Sequence, residues 1–215
     1  MKKYITISRE YGSGGHSIGK LLAEKLGLPF YDKEIIDMTA EKSGFHPNFI
    51  QNNEQSLSST LLYNIFLGNN YTTPNANGLS AGMSGPGSLP LADQVFNTQR
   101  EVIISLAKQG PCVIVGRCSD YILRHCEEIN KDELLNIFIY APMSMKIERS
   151  IKYKGLNPET AEKEIKQIDK RRANHYNMFT ERTWGKRDHY DILVNSSLLG
   201  VEKTAEILAE IAKQG

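Results

Sequence analysis

From residue 9 to residue 20 the chain reads Arg-Glu-Tyr-Gly-Ser-Gly-Gly-His-Ser-Ile-Gly-Lys. Gly12, Gly14 and Gly15, with Ser13 among them, let backbone N–H groups approach an anion closely. Tyr4-Ile-Thr-Ile-Ser8 ahead of them is a β-branched run that reads as a strand, and Ile18, Leu21, Leu22 and Leu26 behind them recur at helical spacing. A strand, a glycine turn and a helix N-terminus make a cradle for phosphate, although the same pattern also serves as a plain turn. Gly14-x-x-x-x-Gly19-Lys20 matches most of a Walker A motif. That register fails on two counts: Leu21 stands where a Ser or Thr holds Mg²⁺, and Lys20 falls inside the helix, on its solvent side. Further cations stand at intervals. Arg117 ends the apolar run Val113-Ile-Val-Gly, and its planar fork suits either phosphate oxygens or a structural ion pair. Asp169, Arg171 and Arg172 lie in a charged helical run, which is either a solvated face or a cluster that closes over a phosphoryl group.

These residues need a scaffold, and the hydrophobic pattern supplies one. Pro29-Phe-Tyr-Asp32 reads as a second short strand and Glu34 to Lys42 as a helix. Val95, Phe96, Val102, Ile103, Leu106 and Ala107 mark an amphipathic helix that stops at Gly110. The uninterrupted apolar runs from 111 to 115 and from 134 to 140 predict strands buried on both faces. Helices follow at Ser119 to Cys126, Met143 to Lys154 and Pro158 to Tyr176, then a strand over Ile192 to Asn195 and a helix over Val201 to Lys213. Strands that alternate with helices imply a parallel sheet covered on both sides. Between about 51 and 91 Asn, Ser, Gly and Pro dominate, which predicts a long loop or a mobile insertion.

Counted without gaps from Ile5-Thr6-Ile7, the first part of the chain resembles the cytidylate kinases, which are P-loop nucleoside monophosphate kinases. Those proteins run from a strand I-T-I into a GxSGxGKGT loop, a helix ending L-A-E-x-L-G and a strand ending in Asp. The family glycines fall on Gly12 and Gly14, the Mg²⁺-binding hydroxyl on Ser17, the helix end on Leu22-Ala-Glu-Lys-Leu-Gly27 and the acid on Asp32. Val113-Ile-Val-Gly-Arg117 resembles the strand end that grips the acceptor. Asn136 to Tyr140 with Glu148-Arg149, and Ile165 to Arg172, resemble the two sides of the family's lid. The resemblance covers 3–54 and 93 to the end. The loop's Arg-Glu-Tyr-Gly-Ser-Gly-Gly and the insertion Thr183-Trp-Gly-Lys-Arg187 point to the cytidylate kinase-like branch. Three positions depart from the cytidylate kinase pattern: Arg9 replaces the first glycine, Gly15 replaces the P-loop lysine, and Cys118 stands where the family usually has an Asp after the acceptor-gripping arginine.

The resemblance implies an α/β fold of the P-loop NTPase type. This is a three-layer sandwich on a mostly five-stranded parallel sheet, with strands 4–8, 112–115 and 136–140 central. It implies a single domain over 1–215, with an acceptor-lobe insertion at about 45–92 and a helical lid at about 150–187. The implied chemistry is phosphoryl transfer from ATP, with Mg²⁺, to a nucleoside monophosphate, CMP or dCMP first. Gly12, Ser13, Gly14, Gly15, His16, Ser17 and Ile18 would cradle ATP, with Ser17 on the metal. Asp32, Lys33 and Arg117 would bind the acceptor, and Asn195-Ser196 would approach the adenine. Arg9, Arg149, Asp169 and Arg171 would act on the transferring group. Arg9 either stands in for the missing lysine, with His16 secondary, or pairs with Glu10 or another carboxylate. A chain that lost catalysis with its lysine would be a nucleotide-binding regulator instead, and an unfamiliar acceptor lobe leaves a kinase for another small acceptor open.

Composition narrows the partners. A net charge of +1 over 215 residues offers no broad basic field for nucleic acid. No apolar run reaches the ~20 residues that span a bilayer, and no signal-peptide core precedes the first strand. Three cysteines, Cys112, Cys118 and Cys126, lack CxxC spacing and fit a reducing cytoplasm. The five histidines are scattered, so the residues by themselves define no protein-only metal site. The expected partners are small nucleotides, with neither nucleic acid nor membrane.

Overall fold

Cys112–Val115 and Leu134–Tyr140 carry almost nothing but apolar side chains, and both are strands buried on either face. The structure, a computed structural model, describes residues 1–56 and 90–215. In chain order these form β1 (Tyr4–Arg9), α1 (Gly15–Leu26), β2 (Phe30–Tyr31), α2 (Glu34–Ser43), α3 (Pro47–Ser56), α4 (Leu91–Gln109), β3 (Cys112–Val115), α5 (Ser119–Arg124), β4 (Leu134–Tyr140), α6 (Met143–Lys154), α7 (Pro158–Thr180), β5 (Ile192–Asn195) and α8 (Gly200–Gln214). The sheet runs β2-β3-β1-β4-β5 with every pair parallel, and β3, β1 and β4 are its centre as expected.

Period-two alternation sorts the strand side chains between two layers. Ile5, Ile7, Val113, Val115, Leu135, Ile137 and Ile139 face α1 and α8, where Leu22, Ala205 and Leu208 complete the cluster. Cys112, Ile114 and Leu134 face the other way, toward Val102, Ile103 and Leu106 of α4, Ile122 of α5 and Tyr176 of α7. Each fully buried Ile or Leu contributes roughly 1.5–3 kcal/mol of transfer free energy. The sandwich therefore holds its strand ends in fixed register, and Ile7 lies between Val115 and Ile137.

Boundaries moved where capping decides them. α1 starts at Gly15, ahead of Ile18, the first residue of the periodic pattern, because Gly14 takes a left-handed N-cap (φ 80°). α7 continues past Tyr176 to Thr180, and β2 contracts to two residues. The predicted insertion falls largely on 57–89, outside the described residues. Among the described residues no helix is long and apolar enough to cross a membrane.

Candidate active site

The C-terminal ends of parallel strands are where an open α/β sheet binds ligands, and here Arg9 ends β1, Asp32 follows β2 and Arg117 lies two residues past β3. They open into a cleft of about 990 Å³ between the glycine loop, β2–α2, the turn after β3, and α6 and α7. Among the described residues, seven Lys or Arg side chains line it against three carboxylates. A second cavity of about 600 Å³ beside α4 has as many acids as bases, and its charges pair with one another, as in Lys42–Glu101 (2.8 Å) and Lys108–Glu128. Only the first is suited to an anion.

The glycine loop is closed from inside. Ser13 is fully buried; its hydroxyl donates to Glu10 O (2.8 Å) and accepts from Gly15 N (3.3 Å). Ser196 Oγ donates to Ser13 O and so ties β5 to the loop. The Ser13 side chain is thus consumed by the turn and does not line the cleft. Ile18 is a second correction: it is fully buried in the core, and its N–H is bonded to Gly14 O (2.9 Å). Ser196, expected at the adenine, is likewise buried and structural. By contrast Gly12, Gly14, Gly15, His16 and Ser17 all border the cleft. No side chain caps α1, so the first-turn N–H groups and the helix dipole face that space. Ser17 is exposed there, while Lys20 is exposed elsewhere and is not part of the cleft.

Asp32 is the hub of the acceptor side. Its Oδ1 lies 3.1 Å from Arg117 Nη1 and 3.6 Å from Arg9 Nη2, and its Oδ2 lies 2.8 Å from His16 Nδ1. Burial works against ionisation of Asp32, but the Arg9 and Arg117 guanidiniums outweigh it and hold its carboxyl below the usual carboxylate range. Arg117 reaches Asp32 from an unusual turn. Gly116, Arg117 and Cys118 all have positive φ (78°, 54° and 55°), and Ser119 N donates to Gly116 O (3.0 Å). Two consecutive non-glycine residues in the left-handed region cost roughly 1–2 kcal/mol each, and such strain clusters at functional sites.

The lid side also meets the loop. Arg149 Nη1 donates to Gly12 O (3.2 Å) and Ser196 Oγ (3.4 Å). Arg171 lines the cleft, and its buried Nε has no hydrogen-bond partner among the described residues. Asp169 is placed differently from expectation. It does not line the cleft. Its Oδ1 accepts from Tyr11 N (2.6 Å) and its Oδ2 from Lys146 Nζ (3.1 Å), so it fastens α7 to the loop. Burial pushes its carboxyl up, opposed by those two donors and by Arg172. Glu10 accepts from Lys146 Nζ (3.0 Å) and Ala141 N (3.3 Å). Tyr11, Lys154 and Glu164, which pattern reading missed, complete this clasp together with Arg172. The Tyr11 hydroxyl donates to Glu164 (2.9 Å), Lys154 lies over the Tyr11 ring, and Arg172 Nη1 donates to Arg9 O (2.9 Å). One signal was available: Lys146 precedes Arg149 by three residues and shares its helix face.

A five-stranded parallel sheet in the order 2-3-1-4-5, with a glycine loop after its central strand, is the fold of the P-loop kinases. The model of the cytidylate kinase-like family matches residues 4–198, and the chain belongs to that family. Membership places it among the kinase-type phosphotransferases. Similar folds include an uncharacterized protein from Eubacterium ventriosum (23% identity, TM-score 0.70, both chains covered in full). A shikimate kinase from Bacteroides thetaiotaomicron (13% identity, TM-score 0.53) is similar over 98% of each chain. A shikimate kinase from Acinetobacter baumannii, in complex with shikimate, has 13% identity and a TM-score of 0.50, covering 100% of this chain and 94% of its own. No curated protein matches the chain.

Proposed function

We propose that the protein transfers the γ-phosphoryl group of ATP to a nucleoside monophosphate, with CMP and dCMP as the first acceptors to test. The carrying observation is the uncapped N-terminus of α1, with the Ser17 hydroxyl beside it, opening into a cleft that has four more cations than carboxylates. The triphosphate lies along the loop, with Gly12, Gly14, Gly15 and His16 giving backbone contacts and Arg149 and Arg171 reaching it from α6 and α7. The acceptor phosphate takes Arg117 from Asp32, and Lys33 adds charge at the same rim. An acceptor oxygen attacks the γ-phosphorus, the bond to the β–γ bridging oxygen breaks, and ADP leaves with that electron pair. Among the described residues no group of three His, Cys, Asp or Glu could hold a metal alone. The residues fit a metal that arrives with the nucleotide, held on the protein side by Ser17. When bound, Mg²⁺ neutralises charge on the phosphate oxygens. Three free, buried cysteines fit work in a reducing cytoplasm.

One observation favours a second acceptor class. An anionic phosphate oxygen needs no base, whereas a hydroxyl does, and Asp32 hydrogen-bonded to His16 at 2.8 Å is an acid–base pair at the acceptor rim. A coupled assay for ADP release separates the readings when run with nucleoside monophosphates, with small polyols and hydroxy acids, and without acceptor. Release with CMP or dCMP supports the first reading. Release with an alcohol alone replaces it with the second. ATP binding without release to any acceptor favours a regulatory nucleotide-binding protein.

A further inference from the structure

We infer that the loop's cationic side chain has moved from position 15 to position 9, and that the two positions are physically coupled. Arg9 serves the terminal phosphates from the end of β1, and its stem is what keeps position 15 a glycine. The inference rests on the reading of the cleft as a nucleoside triphosphate site.

Gly15 does not need glycine's conformational freedom. It opens α1 and is absent from the residues with positive φ, which include its neighbour Gly14. Space is the constraint: a Cβ at Gly15 would lie 2.5 Å from Arg9 Cβ and 3.0 Å from Arg9 Cγ. Carbon atoms pack at about 3.5–4.0 Å, so the first atom of any side chain at 15 falls on the Arg9 stem. That stem has little room to retreat. Arg9 pairs with Ile139 in the sheet, and its carbonyl accepts from Arg172.

The other end of Arg9 is framed in the same way. A Cβ at Gly116 would lie 2.0 Å from Arg9 Nη1, so a second glycine leaves room for the guanidinium. Between these two glycines Arg9 crosses the floor of the cleft that Ser17 borders, 18% exposed, with its head 3.6 Å from Asp32. A guanidinium stays charged at every working pH and forks onto two oxygens at once. It is therefore a chemically sufficient substitute for an ammonium at the terminal phosphates. Asp32 is shared between Arg9 and Arg117, and a phosphate that enters the cleft competes with this carboxylate for the Arg9 fork.

The test separates stem from charge. Wild type, Arg9→Gln, Arg9→Gly, Gly15→Lys and Arg9→Gly/Gly15→Lys are titrated with a fluorescent N-methylanthraniloyl ATP plus Mg²⁺, and their thermal unfolding is recorded without ligand. Arg9→Gln keeps the stem and loses the charge, and is expected to bind at least about tenfold more weakly and to melt only a few degrees lower, since Arg117 and His16 still face Asp32. Gly15→Lys alone is expected to melt lower than wild type. The double variant is expected to recover that loss and to bind better than Arg9→Gly. Unchanged affinity in Arg9→Gln would overturn the assignment of charge. A double variant that melts no higher than Gly15→Lys and binds no better than Arg9→Gly would overturn the coupling. If wild type itself binds no nucleoside triphosphate, the proposed function fails, and the melting temperatures still decide the steric half of the inference.

Discussion

Asp32 concentrates the physical chemistry of the site in a single side chain. Its carboxylate is about one-tenth exposed and faces Arg117, Arg9 and His16. Asp32→Asn leaves the shape and removes the charge, and is expected to cost roughly 2 kcal/mol at pH 7, because two guanidiniums lose their carboxylate. The pH dependence has a definite sign. The folded-state pKa of Asp32 is depressed, so its contribution is complete above the unfolded value of about 4 and is lost as pH falls through the folded value. Denaturant titrations of wild type and Asp32→Asn should converge below about pH 4; a gap that persists undiminished there would refute the ion pairing. Arg117→Ala acts on the other partner. Losing a charge-assisted phosphate contact costs about 1.5–3 kcal/mol, so kcat/KM for the acceptor should fall at least tenfold, and an unchanged value removes Arg117 from the site. Both residues were legible in the sequence, because an acid and an arginine at the ends of apolar runs mark the ligand side of a parallel sheet. The left-handed turn through Arg117 and Cys118 was not legible. Neither residue type signals positive φ.

At the scale of elements, the glycine loop is held by α6 and α7 as much as by the strand and helix that flank it. The periodic pattern gave α6 to the residue and α7 to within about one turn, since charged and apolar positions alternate at 3.6 spacing. It did not give their role, because a lysine on a charged helix reads as a solvated face. Lys146 is 5% exposed and joins Glu10 of the loop to Asp169 of α7. Replacing it with Met keeps most of the volume and strands two largely buried carboxylates. Breaking a buried pair from one side costs about 3–5 kcal/mol, and ~1 kcal/mol shifts the melting temperature of a 150–250-residue protein by about 2–4 °C. Lys146→Met should therefore melt at least about 6 °C lower. The exposed Lys203, paired with Glu206 on α8, is the control, and Lys203→Met should melt as wild type does. Equal behaviour of the two variants would mean that the clasp contributes no more than a surface pair. The same reasoning revises Asp169 from a group acting on the transferring phosphoryl to one that positions the loop.

Across the whole molecule, charge is arranged against its own average. The chain carries 26 Lys and Arg against 25 Asp and Glu, yet the cleft holds seven of the cations and three of the acids. The remainder, nineteen cations and twenty-two acids, is therefore slightly acidic. Composition alone shows only the near-zero sum; the local excess appears once the sheet gathers Arg9 and Arg117 at one edge and the helices bring Arg149, Lys154, Arg171 and Arg172 over it. Such an arrangement focuses field into the cleft. Small, highly charged anions should bind with a clear salt dependence, and long polyanions should not bind, since a duplex or strand cannot enter a cleft of this size. Screening shortens the Debye length from about 14 Å at 0.05 M to about 4 Å at 0.5 M salt. Over that range the affinity for fluorescent ATP should weaken several-fold, affinity for an uncharged nucleoside should stay constant, and single-stranded DNA at physiological salt should not compete for the cleft. ATP binding indifferent to salt would mean that the cations are spent on internal pairs, with the loop working through backbone groups alone. Competition by DNA would mean that the basic surface extends beyond the cleft.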